Sequence, residues 1–91
     1  MDRSSRRGLA RLMLRLAPHR RDLQDLSDHP TMLDLSSAYD LACEASAYWA
    51  GVKLPIASHR AAEYADLTAE LEKEIVQYLF YLKRRAPHEA A

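Results

Sequence analysis

The chain has 91 residues, 48% of them hydrophobic and 29% charged, and its thirteen basic and thirteen acidic side chains cancel to a formal net charge of zero. This is the composition of a folded chain rather than a disordered one. One cysteine, Cys43, excludes an intrachain disulfide and fits a reducing compartment such as the cytoplasm. No apolar run approaches the ~20 residues of a membrane-spanning helix, the longest being Tyr78–Leu82.

Only six residues are β-branched, and alanine, leucine, arginine and glutamate dominate, so an all-α fold is expected. A chain this short buries only about two-thirds of its unfolded surface, which leaves a thin core. We read one helical domain over 1–91. It comprises an arginine-rich segment (1–21), a connector (22–30), a helical hairpin (31–86) and a tail (87–91).

The first predicted element is a short basic helix at about 9–17. Leu9, Leu12, Met13 and Leu16 fall at i, i+3, i+4 and i+7, opposite Arg7, Arg11 and Arg15. Gly8 weakens its extension backward, and Pro18 ends it. The connector has room for one helical turn near Leu23–Leu26.

A second helix is predicted over about 31–50, capped by Thr31 and closed by Gly51. Its apolar arc is Leu35, Ala38, Leu41, Ala42, Ala45, Tyr48, Trp49 and Val52. Past the first turn its only charges are Asp40 and Glu44, a strip so narrow that the helix reads as central, covered on two sides. Ser58 then caps a third helix over about 58–85, stopped by Pro87. Ala61, Tyr64, Thr68, Leu71, Ile75, Tyr78 and Leu82 step along it in alternating threes and fours, a coiled-coil-like seam. Behind the seam runs a weaker stripe of Ala62, Ala65, Ala69, Val76 and Phe80.

The two long helices are joined by a short connector and are expected to form an antiparallel hairpin. With the basic helix they make a three-helix unit whose leftover apolar surface predicts assembly into a dimeric bundle. The expected interface comprises Tyr39, Cys43, Trp49, Val76, Tyr78, Phe80 and Tyr81.

The zero net charge hides a split. Arg3, Arg6, Arg7, Arg11, Arg15, Arg20 and Arg21 face only Asp2 within residues 1–21, a balance of +6, whereas residues 22–57 carry −5. The arginine patch admits four readings: a nucleic-acid arm, an amphipathic helix on an anionic membrane, a transit-peptide-like leader, or internal pairing with the acidic Asp22–Glu44 region. No recognition helix follows and no aromatics interleave with the arginines, so internal pairing is favoured.

No catalytic or cofactor-binding set converges. The four histidines lack metal-ligand spacing, and His59/Glu63 reads as a surface pair. Asp40 and Glu44, an i, i+4 pair, read as a solubilising strip, and Cys43 as a buried thiol. The expected function is therefore a non-enzymatic helical interaction or regulatory module. Its expected partners are itself and possibly another protein, with nucleic acid or an anionic membrane as alternatives.

Overall fold

The computed structural model of the chain describes residues 2–90, and the side chains of residues 2–85. Four α-helices pack against one another, and no strand occurs among the described residues. They are α1 (Arg3–Arg15), α2 (Arg20–Asp25), α3 (Pro30–Ala50) and α4 (Ala57–Ala90), with a single 3-10 turn at Ala17–His19.

The first helix starts six residues earlier than its apolar period predicts. Asp2 caps it: the carboxylate accepts from the Ser5 amide at 2.7 Å, and that bond holds the Asp2 carboxyl below its usual range. Gly8, expected to weaken the start, lies inside the helix at its closest approach to α3. At the other end α1 stops at Arg15: Leu16 leaves the α region at φ −110°, ψ 54°, and the chain tightens into the 3-10 turn that contains Pro18. The connector then holds a full helix, α2, anchored by the completely buried Leu23, so the unit has four helices rather than three.

The cap of α3 is His29 rather than Thr31. Pro30 suits the first helical position, where no N–H is needed, and His29 Nδ1 accepts from the Met32 amide at 3.4 Å. Gly51 follows α3 at φ −93°, ψ −7°, a conformation that any residue adopts. Ser58 lies within α4, whose first turn is set by the Leu54–Ala57 turn before it. The end expected at Pro87 is not seen: α4 runs to Ala90.

The core gathers Leu9 and Leu12 from α1, Leu23 from α2, Met32 and Tyr39 from α3, and Ile75 and Leu79 from α4. The central helix is α3, which contacts both α1 and α4. Its contacts with α4 step away from the connector along both helices. Ser46 Oγ reaches the Ala61 carbonyl at 3.5 Å, and Tyr39 Oη reaches Glu72 at 2.7 Å farther along. The predicted α4 seam faces inward, with Ile75 buried and its other members partly so.

The predicted orientation of α3 is wrong by a large rotation. Its buried residues are Met32, Ser36, Tyr39, Asp40 and Ala42, while Leu41 and Tyr48 of the expected seam are 59% and 65% exposed. The cause is α1. A Cβ on Gly8 would overlap the Ser36 carbonyl oxygen and stand 2.5 Å from its carbon, so the two backbones meet where neither has a large side chain. Ser5 Oγ donates to the Leu33 carbonyl at 3.1 Å, and Ser36 Oγ turns back to the Met32 carbonyl at 2.7 Å. These small residues make a close helix contact on what looked like the polar side of α3.

Candidate functional site

At that contact α1 lays three arginines along α3. Arg7, Arg11 and Arg15 are spaced by four and share one face of α1. Arg7 Nη2 lies 3.0 Å from Asp40 Oδ2, Arg11 Nε 3.2 Å from Asp40 Oδ1, and Arg11 Nη2 2.8 Å from Glu44 Oε1. Arg15 Nε reaches Glu72 of α4 at 3.3 Å. Asp40 is wholly buried, whereas Arg7 and Arg11 keep 48% and 43% of their side chains exposed. Arg11 Nε supplies charge to Oδ1 but lies off its hydrogen-bonding direction, which leaves Oδ1 buried without a hydrogen bond. The arrangement is a clamp of α1 onto α3, with Asp40 buried in it and Glu44 at its exposed edge.

Tyr39 extends the clamp. Its hydroxyl donates to Glu72 Oε2, the carboxylate that Arg15 meets. Burial, then this hydrogen bond, push the Tyr39 phenol well above its ordinary value. The sequence reading of Asp40 and Glu44 as a solvated strip misses their role. The legible signal was two ladders of equal pitch: bases at 7, 11 and 15, and acids at 40 and 44.

The arginine patch therefore divides. Arg7, Arg11 and Arg15 are held by their own chain, while Arg3, Arg6, Arg20 and Arg21 are exposed with no ion-pair partner among the described residues.

The seven expected interface residues also divide. Tyr39 is 4% exposed and belongs to the core of its own chain, because the arginine clamp turns its side of α3 inward. Cys43 is partly buried against that core, and Trp49 and Val76 are partly buried. Tyr78 is partly buried, with the His29 ring edge-on at 5.8 Å and Tyr81 stacked at 5.9 Å. Tyr81 is 44% exposed, beneath the Arg85 guanidinium, and Phe80 is 52% exposed with His19 edge-on. A groove of about 610 Å³ runs past His29, Thr31, Tyr78 and Tyr81.

One face of α3 is largely uncovered. Ala38, Leu41 and Tyr48 are exposed and Ala45 partly so, in a 3–4–3 spacing on the side turned away from Met32, Ser36 and Tyr39; Val52, partly buried, follows just past the helix end. Leu54 and Ile56, 59% and 48% exposed, come next in the connector. Asp34 is the one charge on this line. The second stripe of α4 is likewise exposed at Ala62, Ala65, Ala69 and Phe80.

Among the described residues no cluster of three histidine, cysteine, aspartate or glutamate side chains could hold a metal ion, and no helix is long and apolar enough to cross a membrane. His59 and Glu63 pair at 2.9 Å on the surface of α4. No family model, curated protein or solved structure matches the chain.

Proposed function

We propose that this chain is a non-enzymatic helical interaction module. Its α3–α4 pair forms an antiparallel hairpin, α1 braces it, and the open face of α3 is the working surface, used for self-association. The observation that carries this reading is the exposure of Leu41 and Tyr48 on a helix that packs against both α1 and α4. Contiguous apolar surface of this kind on a small protein marks an interaction site. The buried Asp40 supports it, because its carboxylate is held by Arg7 and Arg11 in the α1 clamp.

Sedimentation of the full chain at roughly tens of micromolar tests the proposal, in the range where a small apolar interface associates. Self-association is expected, and the double variant Leu41→Glu/Tyr48→Glu should be monomeric with unchanged helix content by circular dichroism. A monomeric wild type, or association unaffected by the double variant, overturns it.

The nucleic-acid alternative rests on Arg3, Arg6, Arg20 and Arg21, four exposed cations. It predicts affinity for duplex or single-stranded probes that falls steeply with salt, with a slope limited by about four phosphate contacts rather than seven. The membrane alternative predicts co-sedimentation with anionic but not neutral vesicles.

A further inference from the structure

We infer that the open face of α3 pairs with the same face of a second copy, antiparallel, about a two-fold axis at Ala45. This rests on the interaction-module reading and adds to it an occupant and a register. A two-fold interface must be self-complementary, so that residue i meets j and j meets i. The α3 stripe meets that condition in the antiparallel sense. Seven residues separate Ala38 from Ala45 and Ala45 from Val52, and Leu41 and Tyr48 stand four before and three after it.

About an axis at Ala45, Leu41 packs on the mate's Tyr48, Ala38 on its Val52, and the two Ala45 methyls meet at the centre. Large residues face each other only off the axis, and the small one on the axis lets the helices approach. A parallel pairing would instead stack each large residue on itself.

The charges fit the same register. Asp34 lies at the N-terminal end of the stripe, and Lys53 just beyond its C-terminal end. Both are exposed, with no ion-pair partner among the described residues of their own chain. Antiparallel pairing about Ala45 sets Asp34 at the level of the mate's Ile56, three residues from its Lys53, so the long lysine side chain spans the offset at both ends of the dimer. Glu44, the acid nearest the axis, is already met by Arg11 at 2.8 Å. A parallel pair would set Asp34 against Asp34.

The exposed parts of Leu41, Tyr48, Leu54 and Ile56 offer on the order of 100 Å² each, so about 400–500 Å² a side with the smaller residues, against ~800 Å² for a standard interface. A weak, reversible dimer follows.

Disulfide trapping in a Cys43→Ala background tests the register, with sedimentation of the reduced proteins alongside. A45C should cross-link to itself under mild oxidation. A38C alone should not, whereas A38C mixed with V52C should give the mixed disulfide. Asp34→Lys and Lys53→Asp should each weaken the dimer about three- to tenfold, and the double exchange should restore it. A dimer in which A38C traps itself overturns the antiparallel register but leaves the interaction module intact. A chain that stays monomeric and traps no pair overturns both.

Discussion

Replacing Gly8 with alanine sets two effects of opposite sign against each other, and the structure says which wins. In an exposed helix interior, Gly→Ala stabilises by about 1 kcal/mol because it removes backbone freedom from the unfolded chain. At Gly8 the added methyl would overlap the Ser36 carbonyl oxygen, stand 2.5 Å from its carbon and lie 3.2 Å from its Cα. These are backbone atoms in the middle of α3, with no rotamer to give way, so α1 must withdraw. Withdrawal loosens the Ser5–Leu33 bond, the Arg7 and Arg11 contacts to Asp40, and the seating of Leu9 and Leu12. Overpacking of this kind costs about 1–3 kcal/mol and more where backbone is forced to move; with about 3–5 kcal/mol for a backbone displacement, the net loss after the propensity gain should be about 2–4 kcal/mol. For a domain of this size each kcal/mol moves the melting temperature by roughly 4–8 °C, so a fall of about 10–25 °C is expected. Thermal unfolding followed by circular dichroism measures it, with Gly51→Ala as the control. There φ is negative and the nearest atoms to a new Cβ are at 3.7 and 3.9 Å, so that variant should be neutral or more stable by up to about 1 kcal/mol. A Gly8→Ala protein that melts at or above the parent temperature would refute the close α1–α3 contact.

Asp40→Asn keeps the shape of a fully buried side chain but removes the charge that Arg7 and Arg11 address; because both arginines are half exposed, the cost should be about 1–3 kcal/mol rather than the full penalty of an orphaned buried ion. Urea unfolding checks it, and an unchanged midpoint would show the clamp to be idle. Tyr39→Phe should cost about 1 kcal/mol, the worth of one hydroxyl bond to Glu72, by the same assay. The Tyr39 phenol is raised in the folded protein above its ordinary value of 10.0, so its contribution is intact below that pH and lost as pH rises above it. Wild-type stability should therefore fall more steeply than that of Tyr39→Phe on the alkaline side, and tyrosinate absorbance should show one of the five tyrosines ionising only on unfolding. Equal alkaline slopes for the two proteins would contradict the burial of that hydroxyl.

The all-helical class and the existence of the two long helices follow from composition and periodicity, and the α4 seam was placed on its correct face. That seam succeeded because it extends over many turns with a single large neighbour, which lets the period dominate. The face of α3 was not legible because two neighbours compete for it. Periodicity counts apolar residues, and the α1 side of α3 presents Ser36, Asp40 and Glu44, a set that hydropathy assigns to water. The burial of Ser36 and Asp40 depends on residues some thirty positions earlier: Ser5 and Gly8, which let the backbones touch, and Arg7 and Arg11, which bring charge to Asp40. Gly8 misled locally for the same reason. Its helix propensity is poor, and its value lies in a tertiary contact that a single helix does not reveal. Of the expected site residues, Tyr81 and Phe80 lie at the surface, Tyr39 is taken by the clamp, and the arginine patch is half internal.

The α3 helix thus departs from an ordinary surface helix: Ser36 and Asp40 are inside with Met32 and Tyr39, while Leu41 and Tyr48 are outside. The polar interior is stable because α1 satisfies it, and removing α1 would leave Asp40 as an uncompensated carboxylate on a sparsely charged helix. The apolar exterior has no such answer within the chain, since α1 and α4 occupy the other two sides and the connector holds only Leu54, Ile56 and Val52 near its end. A thin core makes that exposure expensive, because a small domain has few other sources of burial. The same docking of α1 therefore does two things at once. It completes the fold by neutralising the acidic side of α3, and it rotates the helix so that the heptad-spaced stripe around Ala45 faces outward. On this view α1 acts as the element that sets which face of α3 a partner meets, and loosening it at Gly8 should weaken self-association together with stability.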